Sequence, residues 1–189
     1  MTTTLDRVAT EQTQRQTTWQ IDPAHTSVGF SVKHLMIARV RGRFAGVRGT
    51  IILDESDMAK SWAQVEIDAA TIDTRQTQRD AHLRSADFFE VETYPTITFR
   101  SRLVKRGEGS RFRVVGELTI RGVTREVVLD ATDEGRERDL SGVDRIAFTA
   151  AATIDRREFG LTWNQALETG GVVVGNEIAI TIDLEAELS

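Results

Sequence analysis

The sequence predicts an all-β fold: about eight antiparallel strands in a sheet closed on itself as an up-and-down barrel, with one short helix inserted. Three observations carry this expectation. Apolar and polar residues alternate with period two in a series of short runs. Glycine-bearing turns separate several of those runs, as hairpin connections require. One stretch, 73–89, has helix-compatible composition and no two-residue period. A sandwich of two sheets is the alternative arrangement of the same strands. With 189 residues the chain is most simply one domain, long enough to bury a core or enclose a cavity.

Residues 1–18 are polar and rich in Gln and Thr, and are expected to form a flexible N-terminal arm ahead of a domain spanning 19–189. The first run sets Val28, Phe30 and Val32 on one face, against Ser27, Gly29, Ser31 and Lys33. Next, Val40, Gly42 and Phe44 oppose Arg39, Arg41 and Arg43, then Val65, Ile67 and Ala69 oppose Gln64, Glu66 and Asp68. The helix over 73–89 follows, with Asp73 or Thr74 as the N-cap. After it come Ile97–Phe99, Phe112–Val114 leading to Leu118–Ile120, Val127–Leu129–Ala131, the even-numbered positions 146–154, and Ile178–Ile180–Ile182–Leu184. The segments "KRGEGS", "IRGVT" and "DEGRERDLSG" supply turns between them. Closing such a meander removes exposed strand edges, and at about eight strands the interior is either filled by side chains or holds one small ligand.

Several function classes are excluded or weakened by composition. A formal charge of −5, from 24 Lys+Arg against 29 Asp+Glu, gives no long-range pull toward nucleic acid. The absence of cysteine removes thiolate nucleophiles and cysteine-ligated metals. No apolar run reaches the length of a membrane span, and the polar opening lacks a leader's apolar core, so a cytoplasmic location is expected. The three histidines, His25, His34 and His82, form no close metal-binding pair, and His25 and His34 would lie ~30 Å apart along one extended strand. They are read as structural, with no metal or cofactor expected. No P-loop, nucleophile elbow or dinucleotide fingerprint is present. The arginine row at 39, 41 and 43 lacks the aromatic platforms that single-strand binding uses, and is read as a solvated or intersubunit face.

Most phenylalanines fall on the predicted inner faces or at the helix end. They could interdigitate as a solid core or line a tunnel, and pattern alone leaves both open. The cluster "RDAHLRSADFF" (79–89) reads as a plug: Asp80, His82 and Arg84 tie the helix down while Leu83, Phe88 and Phe89 turn inward near one mouth. Trp163 and "NQALETGGVVVG" form either a mobile rim over the pore or an ordinary hairpin loop.

Five successive blocks, "IDPAHTSVGFSVKH", "VRGRFAGVRGTI", "RDAHLRSADFFEVETYPTITFRS", "VVGELTIRGVTREVVL" and "DRREFGLTW", resemble the YceI-like, polyisoprenoid-binding family over residues 19 to about 187. The resemblance implies a lipocalin-like barrel, commonly a homodimer, whose pore holds a long isoprenoid such as a quinone or polyprenyl chain, with no assigned reaction. On that reading the expected ligand contacts are Phe30, Val32, Phe44, Val65, Ile67, Phe99, Leu118, Ile120, Phe148 and Ile180 on the inner faces. Leu83, Phe88, Phe89, Phe159 and Trp163 join them near the mouths, with His34 as a polar contact. Two other readings remain at this point: an enzyme on a similar apolar substrate using His34, His82 or a carboxylate, and an interaction domain with a filled core.

Overall fold

The computed structural model describes residues 16–168 and 171–189. Ten strand segments are β1 (Gln16–Ile21), β2 (Ser27–His34), β3 (Ala38–Phe44), β4 (Val47–Asp54), β5 (Trp62–Asp68), β6 (Thr96–Arg106), β7 (Arg111–Ile120), β8 (Val123–Arg138), β9 (Asp144–Asp155) and β10 (Val174–Leu188). Among the described residues there is one α-helix, α1 (Thr77–Arg84), between β5 and β6.

These ten segments make eight staves. The sheet runs β1-β4-β5-β6-β7-β8-β9-β10-β2-β3, and β1 also pairs with β10, which closes the ring. Both β1 and β2 lie against β10, with Trp19 opposite Leu188 and Val28 opposite Ile182. They are two parts of one stave interrupted at 22–26, and β3 and β4 pair with them in the same way. At the seam, the Ser189 amide donates to the Thr18 carbonyl (2.9 Å). Every pairing is antiparallel. Closure leaves few strand edges for aggregation, which is the physical advantage of a barrel over the sandwich.

Three boundaries differ from the sequence reading. The expected arm was to reach residue 18, but Gln16–Thr18 already belong to β1, and residues 1–15 lie outside the described part. The polar side chains of Gln16 and Thr17 find local partners: Gln16 donates to Asp54 (3.1 Å), and the indole of buried Trp19 donates to Thr17 (2.8 Å). Second, β4 escaped the periodicity because Ile51-Ile52-Leu53 is an unbroken apolar run. Third, β8 continues through the expected turn "DEGRERDLSG" as far as Arg138, absorbing a bulge between Asp133 and Gly135. The turn itself contracts to 139–143, where Asp139 accepts from the amides of Ser141 and Val143.

Two glycines let aromatic rings cross the wall. A Cβ on Gly42 would stand 2.4 Å from the ring of Phe30, its cross-strand partner, and one on Gly116 would stand 2.5 Å from the ring of Phe99. The rings occupy the room a side chain would have taken.

The strand directions put the β2–β3 turn, α1, the Arg121-Gly122 turn and the 3₁₀ turn Arg156–Phe159 at one end of the barrel. We call this the helix end. Residues 54–62 and the turns 107–110 and 139–143 lie at the far end.

A lined cavity as the candidate functional site

The barrel interior is hollow. A cavity of ≈ 270 Å³ runs along it, and its wall is almost entirely apolar. This exceeds the ~150 Å³ of an engineered apolar cavity that stays dry and binds benzene. The wall arises from the period-two pattern: each stave sends alternate side chains inward, and β9 and β10 contribute the small and branched series Ala150, Ala152, Ile154 and Ile178, Ile180, Ile182.

Of the expected ligand contacts, Phe30, Phe44, Val65, Ile67, Phe89, Phe99, Leu118, Ile120, Phe148 and Ile180 all border this cavity. Phe44 is the hub of an aromatic chain, with ring centroids 5.7 Å from both Phe30 and Phe89. Six expected contacts are not on the wall. Val32 sits opposite Val40, toward the tip of the hairpin, and His34 is the last residue of β2, paired with Ala38 beside the turn. Leu83 packs against the core rather than the cavity. Phe88 and Trp163 close around His82, at 5.1 and 4.7 Å between ring centroids, and Phe159 is wholly buried. These four fill the helix end, so parity and apolarity alone overestimated the length of the lined pore.

The helix is anchored as the plug reading expected, through different caps. Gln76, not Asp73 or Thr74, is the N-cap, its side chain accepting from the Arg79 amide. Asp73 instead bridges its backbone to Arg43, and Thr74 donates its amide (2.9 Å) and hydroxyl (2.5 Å) to buried Asp80. Arg84 reaches across to the carbonyls of Ala70 and Ile72, both at 2.8 Å. His82 donates to Asp87 (2.8 Å), which orients its ring within the aromatic cluster.

Beside this plug lies a buried cation that the sequence reading missed. Arg156 is 3% exposed and borders the cavity. Its guanidinium donates to the carbonyls of Gly175 (2.8 Å), Leu161 (2.5 Å) and Trp163 (2.9 Å), and more weakly to Val174 (3.4 Å). Burial pushes its pKa down. The signal was available, because Arg156 continues the inward parity of Ile146 to Ile154. It fixes the segment 161–175, which folds back as a hairpin: Val173 donates to Gln165 (3.0 Å), and Asn164 both donates to and accepts from Val174. The described part of the segment has the course of a hairpin, with Ala166 opposite Val172; Thr169 and Gly170 lie outside the described residues.

At the far end the wall turns polar, with Asp54, Glu55, Ser61, Asp133 and Arg136 beside Met58 and Trp62. Arg136 donates to Glu55 (2.5 Å) and lies 5.5 Å above the Trp19 ring. Hydrogen bonds, chiefly from Ser56, hold Asp54 at a pKa of about 2, so its charge is fixed at ordinary pH. Arg136 was hidden from parity by the bulge that precedes it.

Outside the barrel, Asp22, His25 and Glu185 bring three potential metal donors within 4.8 Å of one another. Arg145 already occupies the position of the cation there, donating to Asp22 (2.9 Å) and Glu185 (2.6 Å) as well as to Asp139 (2.8 Å). The hydrogen bond to His25 leads in lowering Asp22 to a pKa of about 2, and the same bond raises that of His25.

The YceI-like domain model matches residues 19–186. This chain belongs to the YceI-like family. A UPF0312 protein of Staphylococcus aureus strain USA300 is 34% identical over 174 residues, covering 92% of this chain and 99% of that protein. Among solved structures, Burkholderia cenocepacia BcnA superposes with a TM-score of 0.76 at 25% identity, covering 87% of this chain and 98% of its own. The Campylobacter jejuni YceI protein gives 0.69 at 30% identity, covering 82% and 88%. A domain from Saccharophagus degradans, described as polyisoprenoid-binding, shares the fold at a TM-score of 0.64 and 18% identity, over 90% of this chain and 98% of that domain. Among the described residues no helix is long and apolar enough to cross a membrane.

Proposed function

We propose that this protein binds a long-chain isoprenoid, of the quinone or polyprenyl type, inside the barrel and carries or sequesters it without chemical change. The observation that carries this reading is the continuous apolar wall from Phe89 at the helix end to Phe112 and Trp62 at the far end. An apolar chain gains about 0.8 kcal/mol per buried methylene, against the cost of ordering it, so such a wall needs few polar contacts to bind. Family membership and the polyisoprenoid-binding description of the S. degradans domain support the same class of ligand. The aromatic chain Phe30–Phe44–Phe89 and the side chains of Phe99, Leu118 and Phe148 are the contacts we assign to the hydrocarbon. The polar cluster around Glu55 and Arg136 is assigned to the ligand's polar end.

Carriage is favoured over turnover because none of the three histidines borders the cavity, and its wall carboxylates gather at the far end. A hollow interior also disfavours a purely structural domain with a filled core. Homodimerisation and residence in the cytoplasm belong to the same proposal. The test is to purify the protein from its native cells, measure its mass under native conditions, and identify solvent-extracted lipids by mass spectrometry. A stoichiometric isoprenoid is the expected result. Repeated recovery of empty protein that takes up neither added quinones nor polyprenyl phosphates would sink the reading.

A further inference from the structure

The β2–β3 turn presents three apolar side chains to solvent: Leu35 is 37%, Met36 51% and Ile37 88% exposed. Local backbone chemistry does not ask for them. Leu35 and Met36 have left-handed φ values of +50° and +60°, and Ile37 donates back to the His34 carbonyl (3.2 Å), a tight hairpin turn of the kind in which Asn and Gly are the favoured residues. Apolar residues that are both exposed and locally disfavoured point to a use outside the fold.

The charge of the hairpin's own sequence is one-sided. Between Asp22 and Asp54 the chain has no acidic residue, while carrying Lys33, Arg39, Arg41, Arg43 and Arg48, in a protein whose net charge is −5. Among the described residues, Lys33, Arg39 and Arg41 make no ion pair within 4 Å, whereas Arg43 and Arg48 are paired with Asp73 and Glu66. Asp155 and Glu177 share a shallow groove with Lys33 and Arg39, but Asp155 is held by Arg157. The β8–β9 turn offers a contrast within the same molecule. Leu140 there is fully exposed, but stands alone between Asp139 and Asp144.

We propose that the β2–β3 hairpin is a docking tip for an anionic lipid surface, with Leu35, Met36 and Ile37 entering the interfacial layer while Lys33, Arg39 and Arg41 face the headgroups. An apolar probe backed by unpaired cations matches such a surface in both its layers. A second copy of this chain would present the same cations and repel them. The docking does not depend on what the cavity holds, and its test reads partition rather than ligand content.

The experiment is co-sedimentation of the full chain with phosphatidylcholine vesicles, with and without phosphatidylglycerol. Each cation near the surface strengthens partition about fivefold, so three predict on the order of a hundredfold preference for the anionic vesicles at low salt, falling as salt is added. The double variant Met36→Asn, Ile37→Asp should lose most of this binding. It should keep its melting temperature, because Asn suits the left-handed position and both side chains are exposed. Leu140→Asp should bind as the parent does. Equal partition to both vesicle types, or undiminished binding by the double variant, overturns the proposal. So does a dimer in solution that the double variant converts to monomer without any vesicle binding, which would make the tip a self-association surface.

Discussion

At the helix end, Phe159 and Ile72 are wholly buried and Phe88 nearly so, whereas in the middle of the barrel Phe30, Phe148 and Ile180 point inward yet stay partly accessible from the cavity. The residue types are the same. What differs is the material brought in from outside the meander: α1, the Arg156–Phe159 turn and the 161–175 hairpin supply side chains that plug one end, and among the described residues no insertion fills the middle. Whether a small barrel is solid or hollow is thus decided less by its staves than by the segments that interrupt them.

The sharpest way to break this contrast is to truncate one phenylalanine from each region. Phe159→Ala should cost about 3–5 kcal/mol in urea unfolding, because it opens a void in closed packing. Phe148→Ala should cost less, about 1–2 kcal/mol, since its ring already borders empty space. Equal losses would mean that the two regions are packed alike. Arg156→Met should destabilise by about 3 kcal/mol, because carbonyls of Gly175, Leu161 and Trp163 lose their buried donor. Hydrogen exchange in 161–175 should rise in that variant ahead of the β-sheet. Ala150→Phe sharpens the comparison from the other side. Built into the void, the ring should change stability by less than about 1 kcal/mol, while the amount of extractable or added isoprenoid falls steeply.

The smallest expected effect is electrostatic. His25 has its pKa raised above 6.5 in the fold, so its contribution is fully present below 6.5 and is lost as pH rises through the raised value. Asp22 is depressed from 3.8 to about 2, so its contribution is present above 3.8 and is lost as pH falls through about 2. The melting-temperature difference between the parent and His25→Gln should therefore be larger below pH 6.5 than well above it. A difference independent of pH would show that the ring acts only by packing.

Much of this architecture was legible because a barrel writes itself in period two. Phe30, Val65, Phe99, Leu118, Phe148 and Ile180 reach the cavity wall for the same reason that they alternate with polar neighbours. Where the period is interrupted, reading failed. Phe88 and Phe89 are adjacent, and only the tertiary course of the loop after α1 sends Phe89 to the cavity and Phe88 to Trp163. Arg136 reaches the far mouth because a bulge shifts its parity, and a bulge has no firm sequence signature in a strand of charged residues. Arg156 continues the inward parity of β9 but went unread, because a charged residue at an inward position is ordinarily taken as the end of the buried face, and a buried guanidinium served by carbonyls alone is unusual.

The seam between β1 and β10 makes the order of the staves cyclic. Since the Ser189 amide reaches the Thr18 carbonyl, a short linker could join Ser189 to Gln16 in a chain cut back to residues 16–189, and that chain could be reopened at the 107–110 turn without changing any neighbour in the ring. Such a circular permutant would test whether the barrel depends on the order in which its strands are synthesised. It would also place both new termini at the far end, away from the β2–β3 tip.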